Sequence, residues 1–456
     1  MFNLVRGLKE NAFSSQPLTF FDSPASEDLS TCWQIHLLEN GPRQAREAWQ
    51  HKQLLNLIQF AYKNSAFWRS RLPQSLPADK FLQLLPVQTR EDINHQVEKE
   101  GSLVGKEASN GVSNYSSSGS TGVPVKVFSM VHNARYNELR SIAQYLIEGR
   151  DLNLNRTFIK PADGNKNQIL HSGIGIEYFD SWIGNLSQIF DHGAYKIIHY
   201  LDDTNSLIEE LSKRPVGYLA CLGSHMELLI NTGGEGLIKK LGIKMWLHHS
   251  DNLDVGLRNT LEDWGILVRS TYSSAEVGPI AVDCSEYPGY YHVTHSNVIV
   301  QEGGSEAVDF DGQLLRKLLV THLHSYATPI IQYEIGDYGR VHSSCPCGHD
   351  GSTLSHIFGR KKYFLRSPDN ELIPFPIFSK PLLDITTFKE FFSYQIDRET
   401  IFLELGGKSS MTKEEEHAIA DLIRKISRNQ FKVVIKLVDK IDWKKNPKRL
   451  PFICYI

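Results

Sequence analysis

Between residues 126 and 340, short β-branched or aromatic runs alternate with helical ones, and this alternation limits the folds open to the chain more than any other feature. Val216–Cys221, Lys244–His248 and Ile266–Thr271 read as strands, whereas Asn205–Ser212, Ser224–Asn231 and Asn252–Trp264 read as helices. A strand, a helix and a second strand close most simply as a βαβ unit. The spacing therefore predicts largely parallel sheets with helices on their faces. Ahead of this region, residues 1–100 predict mostly helix. Within it, Ala45–Arg71 places Leu54, Leu55, Ile58, Ala61 and Tyr62 at helical spacing, a single buried stripe.

The tail has a different character. Glu390–Ile396 and Thr400–Leu405 predict paired strands, and Phe431–Val438 a third. Thr412 and Glu415 form a capping box, because hydroxyl and carboxylate each satisfy an orphan amide at a helix start. Ile419, Leu422, Ile423 and Ile426 then supply the buried stripe. The expected fold class is α/β (α+β multidomain). Residues 1–360 form a large N-terminal portion with a helical start and βαβ subdomains, and 361–456 a small β-β-α-β cap, divided at Gly359–Lys362. No internal repeat is visible.

Composition excludes several function classes. The 456 residues carry 49 Lys+Arg against 52 Asp+Glu, a net charge of −3, so no basic footprint for nucleic acid exists. This argues against RNA binding by the basic tail Lys440–Arg449. Hydrophobic residues at 41% and charged residues at 22% describe a globular chain. No apolar run approaches the roughly 20 residues of a membrane-spanning helix. The opening MFNLVRGLKENAFSS lacks the apolar core of a secretion signal, so a cytoplasmic protein is expected. Six cysteines are too few for a disulfide scaffold.

The strongest local motif is Ser116-Ser-Ser-Gly-Ser-Thr-Gly-Val-Pro124. Glycines allow close backbone approach, and amides with hydroxyls wrap phosphate oxygens. It is not a Walker A loop, since no Gly-Lys-Ser/Thr follows at the required spacing, and a flexible linker has the same composition. Four further segments follow in order: Tyr272-Ser-Ser-Ala-Glu276, Tyr333-Glu-Ile-Gly-Asp337, Gly359-Arg-Lys-Lys362 and Pro447-Lys-Arg-Leu-Pro-Phe452. Each alone is weak. Together they resemble the adenylate-forming (acyl-CoA synthetase) superfamily, nearest its phenylacetate-CoA ligase and CapK-like branch. The likeness extends over nearly the whole chain from residue 50, including Leu57-Ile-Gln-Phe-Ala-Tyr-Lys-Asn-Ser-Ala-Phe-Trp-Arg69.

The resemblance implies a set of roles. Ser117, Ser118, Gly119, Ser120, Thr121 and Gly122 would form the loop over the ATP phosphates. Tyr272 and Ser273 would lie at the nucleotide, with Tyr272 against adenine, and Glu276 would ligate Mg²⁺. Asp337 would accept hydrogen bonds from the ribose hydroxyls, with Arg360 nearby. Lys448 would bridge carboxylate and α-phosphate as the acyl-adenylate forms, an electrostatic and orienting role. Lys362 would be the hinge on which the cap pivots before a second, thioester-forming step. Departures from the family pattern are Ala275 for the usual Thr or Ser, Gln332 for Arg, and Lys361 and Lys362 for an acidic hinge neighbourhood. The loop Ser250-Asp-Asn-Leu253 also lacks the frequent Gly-Glu.

Cys345-Pro-Cys347-Gly is followed by His349, and Cys284 precedes His292. Three thiolates and an imidazole satisfy tetrahedral Zn²⁺ in a structural role. The same branch carries a Cys, a His and a paired Cys around these motifs. Cys284, His292, Cys345 and Cys347 are the preferred set, within a zinc-bound region 284–347, with His349 or His295 as alternative imidazoles. Cys32, Cys221 and Cys454 show no partner pattern.

The function implied is ATP-dependent activation of a small-molecule carboxylic acid to an acyl-adenylate, with pyrophosphate released. Transfer to a thiol follows, that of coenzyme A or of a carrier-protein phosphopantetheine. An amine acceptor, or a weak ATP/AMP-binding scaffold, is the alternative. No nucleic-acid or membrane partner is expected, and a homo-oligomer is compatible with the sequence. By analogy the acid pocket draws on Tyr218–Ser224, Leu247–Ser250 and Tyr272–Gly278. Ala220, Gly223 and Gly278 leave room there, and Tyr218 and Trp246 could stack on the acid; His171, His248 and His249 are candidate polar lining. All of these could equally be core residues.

Overall fold

A computed structural model of the chain describes residues 23–72, 84–105, 111–116, 124–161, 174–200, 203–249, 253–310, 312–359, 364–443, 446 and 449–456. The helical start is present as Pro24–Asn40, Arg43–Asn64, Ala66–Arg71 and Arg90–Glu100. The single helix expected over 45–71 is broken at Ser65, which is extended at φ −124° and ψ 124°. Its hydroxyl oxygen accepts from the Trp68 amide at 3.1 Å and donates to Glu100 at 2.6 Å, so the serine caps a new helix instead of continuing the old one.

Twelve strands form one sheet in the order β11-β12-β13-β14-β10-β9-β8-β7-β6-β3-β5-β4. Two short strands precede it, β1 (Val112–Ser116) and β2 (Lys126–Met130), paired antiparallel. The central strands are β3 (Arg156–Pro161), β5 (Tyr195–Tyr200), β6 (Gly217–Cys221), β7 (Ile243–His249) and β8 (Leu267–Ser274), all mutually parallel. The flanking strands are antiparallel: β4 (Ile174–Phe179) on one side, and β9 (Gly278–Asp283), β10 (Tyr290–Val293), β11 (Val298–Phe310), β12 (Gln313–His322), β13 (Tyr333–His342) and β14 (Thr353–Phe358) on the other. The largely parallel sheet expected from the alternation is thus mixed. Parallel neighbours need a crossover of a dozen or more residues, and no helix separates the strands after β8.

Both faces of the parallel centre are covered, as strands of this kind require. Helices Thr204–Ser212, Gly223–Lys240 and Val255–Asp263 pack on one face around Trp246, Leu219 and Val268. Helices Pro24–Asn40 and Val131–Ile147 cover the other, with Tyr145, Tyr218 and Met245. Arg258 reaches from the first layer to Asp283 at 3.1 Å, and both side chains are 2% exposed. Burial raises the Asp283 carboxyl above the ordinary range, against the Ser270 amide and the guanidinium that favour its charge. Arg258→Met should lower stability by about 3 kcal/mol, because an unpaired carboxylate stays buried. Chemical denaturation checks this; Arg258→Met with Asp283→Asn should recover much of the loss.

The chain ends in smaller sheets. β15 (Phe364–Arg366) pairs with β16 (Leu372–Pro374). Then β17 (Glu390–Gln395), β18 (Thr400–Gly406), β19 (Lys432–Val438) and β20 (Phe452–Cys454) form a sheet in the order β19-β18-β17-β20. Helix Lys413–Ile426 packs on it, started by the expected box: Thr412 accepts from the Glu415 amide at 3.2 Å and Glu415 from the Thr412 amide at 2.8 Å. β20 adds a strand to the three expected. No helix among the described residues is long and apolar enough to cross a membrane.

Candidate active site

A cavity of about 1470 Å³ opens beside the carboxyl ends of β7 and β8, and Phe375 and Leu450, later in the chain, also line it. Crevices at strand ends are where open α/β sheets take ligands. Tyr272, near the end of β8, donates its hydroxyl to Asp337 Oδ2 at 2.7 Å, a contact between residues 65 apart in the chain. Asp337 lies on β13, so a hairpin-rich segment carries it back to the end of a parallel strand. Ser273, Ala275, Glu276 and Gly359 line the same cavity.

Glu276 occupies the turn between β8 and β9 and is 6% exposed. Its Oε1 accepts from the Tyr333 hydroxyl at 3.1 Å, while its Oε2 is buried with no hydrogen-bond partner among the described residues. An orphaned carboxylate oxygen in a cavity suits a hard cation such as Mg²⁺. Gly278 follows at φ 82°, and a Cβ there would come within 2.6 Å of the Asn137 amide. A glycine is required for the turn to sit this close to the helix Val131–Ile147.

Ser117–Gly122, Arg360, Lys361, Lys362, Lys448 and His171 lie outside the described residues. What brackets them is clear. Ser116 pairs with Lys126 across the β1–β2 ladder. Asn94 holds the returning strand, accepting from the Lys126 amide at 3.0 Å and donating to the Pro124 carbonyl at 3.1 Å. Beside Lys448, the Asn446 amide donates to the Leu450 carbonyl at 2.8 Å and accepts from its N–H at 3.1 Å. Arg449, 6% exposed, spans the rings of Tyr200 and Trp443 at 5.1 and 5.4 Å. Arg449 was hidden in the sequence by the lysines around it.

Of the acid-pocket candidates, Ala220, Leu247, His248, His249 and Gly278 line the cavity. Trp246 does not: its side chain is fully buried on the opposite face of the sheet, donating to the Cys221 carbonyl at 3.2 Å. Tyr218 is also core, packed on Tyr145 and Trp182 with its hydroxyl on the Asp151 carbonyl at 2.9 Å. Gly223 faces a separate, smaller cleft with Lys389 and Trp443. His248 is held by Ser270 at 2.9 Å. The cavity also touches Arg140, which sequence reading passed over; burial lowers its guanidinium to about 10, and it donates to the Ser296 carbonyl at 3.0 Å.

Cys284, His292, Cys345 and Cys347 converge, with one ligand atom from each within 4.8 Å of all the others. His292 Nε2 and Cys347 Sγ are 3.4 Å apart. Tetrahedral Zn–N and Zn–S bonds would separate two such atoms by about 3.6 Å, so the donor set fits the ion in kind and spacing. His349 stacks on His292 with ring centroids 4.2 Å apart, and His295 holds Glu39 at 3.5 Å. Neither alternative imidazole belongs to the four.

No protein-family model and no curated protein sequence matches the chain. Solved structures do. A 2-hydroxyisobutyryl-CoA ligase in the postadenylation state with 2-HIB-AMP aligns at TM-score 0.65 and 14% identity, over 89% of this chain and 89% of that one. The same ligase in the thioesterification state with 2-HIB-AMP and CoA aligns at 0.55 and 14% identity, over 92% of each. The GH3.15 acyl acid amido synthetase aligns at 0.54 and 14% identity, over 88% of this chain and 87% of that one. The chain therefore shares the fold of these ligase and synthetase structures.

Proposed function

We propose that the chain uses ATP to convert a carboxylic acid to its acyl-adenylate, releasing pyrophosphate, and then passes the acyl group to a thiol. The observation that carries this reading is the convergence of Tyr272 and Glu276 with Asp337 in one cavity from two segments far apart in the chain, on a fold of this class. Tyr272 offers a ring face for the adenine and, through its hydroxyl, holds Asp337 in place. Asp337 presents acceptor oxygens for the ribose hydroxyls. The acid's carboxylate oxygen attacks the α-phosphorus, and the P–O bond to pyrophosphate breaks. Mg²⁺ held by Glu276 would supply positive charge against the leaving group. Water is kept from the adenylate by the apolar side chains of Phe375 and Leu450 in the cavity lining.

Ser117–Gly122, which lie between β1 and β2 in the sequence, serve as the phosphate loop, and Arg360 assists at the ribose. Lys448 orients the carboxylate against the α-phosphate. The chain divides at 360/361 with Lys362 as the hinge. The acceptor in the second step is the thiol of coenzyme A or of a phosphopantetheine carrier. Zn²⁺ bound by Cys284, His292, Cys345 and Cys347 is structural, since four protein ligands close its coordination.

The test is ATP–pyrophosphate exchange across a panel of aryl and aliphatic acids. Acid-dependent exchange is expected, and silence across the panel despite measurable ATP binding would sink adenylation. Lys448→Ala should reduce exchange by about a hundredfold, the scale of one lost electrostatic contact to the transition state. Conversion of supplied acyl-AMP to thioester should change much less. Equal loss in both half-reactions would show that Lys448 only holds the segment together.

A further inference from the structure

Two arginines, Arg150 and Arg269, approach the carboxylate of Glu148, and a third, Arg156, lines the same cavity. Phe158, Ala220, Leu247 and Arg269 stand in register across β3, β6, β7 and β8. Side chains two positions apart share a face of a strand, so Arg156 lies on the face of Phe158, beneath Tyr145 of the helix Val131–Ile147. All of these line the cavity except those already assigned to the core.

The partners of the three guanidiniums are uneven. Arg150 donates to Glu148 Oε2 at 2.5 Å and stacks over Tyr145 at 4.4 Å. Gln144 occupies Glu148 Oε1 at 2.6 Å. Arg269 comes only within 3.6 Å of the same Oε2, too far for a hydrogen bond, and its Nη1 donates to the Val268 carbonyl at 2.9 Å. Arg156 lies between the rings of Tyr145 and Tyr195, at 5.9 and 5.7 Å. The Nε atoms of both Arg156 and Arg269 are buried without a hydrogen-bond partner among the described residues. Asp283, which also lines the cavity, is committed to Arg258 at 3.1 Å and to the Ser270 amide at 2.9 Å.

Three half-buried guanidiniums line the cavity against one nearby carboxylate, and the buried Nε donors of Arg156 and Arg269 are costly unless a ligand completes them. The planar fork of arginine matches a carboxylate with two parallel donors. Arg269 precedes Tyr272 by three residues on β8, which at about 3.3 Å per residue puts it ~10 Å from the nucleotide end. Phe158, Ala220 and Leu247 give an apolar floor beside it.

We infer that the acid is dianionic: a second carboxylate, at the end of the molecule away from the reacting one, is bound by Arg269 and Arg156. The inference rests on the adenylation reading for which carboxylate reacts, and it adds the class of acid. Glu148 is a positioning residue, holding Arg150 and approaching Arg269 from behind.

The experiment is calorimetric binding of linear dicarboxylates of about eight to ten carbons, which span about 10 Å when extended, against their monomethyl esters. It uses the full chain, with exchange assays run in parallel. The diacid should bind about tenfold tighter than the ester, the scale of one charged hydrogen-bonded contact. Arg269→Met and Arg156→Gln should each erase that preference and leave ester affinity unchanged, and Arg269→Lys should keep part of it. Glu148→Gln should act oppositely and tighten the diacid, because it removes the competing charge; a merely structural role for the cluster predicts loss in every variant. Equal affinity for diacid and ester, equal loss of both in Arg269→Met, or weakened ATP binding in place of weakened diacid binding would each overturn the inference. Diacid preference without exchange upholds this site and overturns adenylation. Exchange with the diacids that Arg269→Met does not change overturns this site alone.

Discussion

Glu276→Ala is expected to cut acid-dependent ATP–pyrophosphate exchange by about 10²–10³, the usual cost of removing one charge-stabilising group from a transition state. The same change should raise the melting temperature. The carboxylate is 6% exposed, and one of its oxygens has no partner among the described residues. An unsatisfied buried polar atom costs about 1–3 kcal/mol, and more when charged, so the resting fold gains by losing it. Activity and stability moving in opposite directions is the signature of a group kept for a ligand. Were Glu276 only the acceptor for the Tyr333 hydroxyl at 3.1 Å, alanine would lower the melting temperature and leave exchange intact. Tyr333→Phe isolates that contact. It should reduce exchange only a few-fold, since the carboxylate remains.

The sequence carried the parallel strands, the helices between them and the capped C-terminal helix, because each is a local pattern with its own period and its own start signal. It failed where structure depends on what pairs with what. Nothing local distinguishes β8, which joins β7 in parallel, from β9, which turns back on it. The break at Ser65 depends on Glu100, far along the chain, receiving its hydroxyl. The site shows the same division. Tyr272, Glu276 and Asp337 stand out as candidates from their order in the sequence, whereas the Tyr272–Asp337 contact exists only after β13 has folded back. Trp246 looked like a ring for a flat acid, but strand alternation turns it away from Leu247 and into the helical layer. Arg156 and Arg269 drew no attention as isolated cations on separate strands. Their meaning comes from lining one cavity together, and composition or spacing cannot express that.

Cys284→Ser and Cys347→Ser are expected to reduce bound zinc from near one equivalent to a small fraction, read by metal analysis of the purified protein. Each should also lower the melting temperature by about 5–10 °C, which for a domain of a few hundred residues corresponds to a few kcal/mol. The site spans a long loop: Cys284 follows β9, His292 lies on β10, and Cys345 and Cys347 sit in the turn between β13 and β14. One ion bound there would tie together strands that are neighbours in the sheet but distant in sequence, and its binding energy would become folding energy for that half. His349→Ala separates the two imidazoles. Its ring lies 4.2 Å from that of His292, nearly parallel, yet it is absent from the converging set. Zinc should therefore stay near one equivalent in His349→Ala and fall in His292→Ala. Zinc absent from the wild-type protein, or retained in both cysteine variants, would mean that the three thiols and the imidazole meet for packing alone. Retention in His292→Ala with loss in His349→Ala would instead move the fourth ligand to His349. A closed set of four leaves no position for substrate, so exchange per folded molecule should be unchanged in Cys347→Ser at temperatures below its transition. A loss of activity that tracks unfolding, and not metal content itself, is what a structural ion predicts.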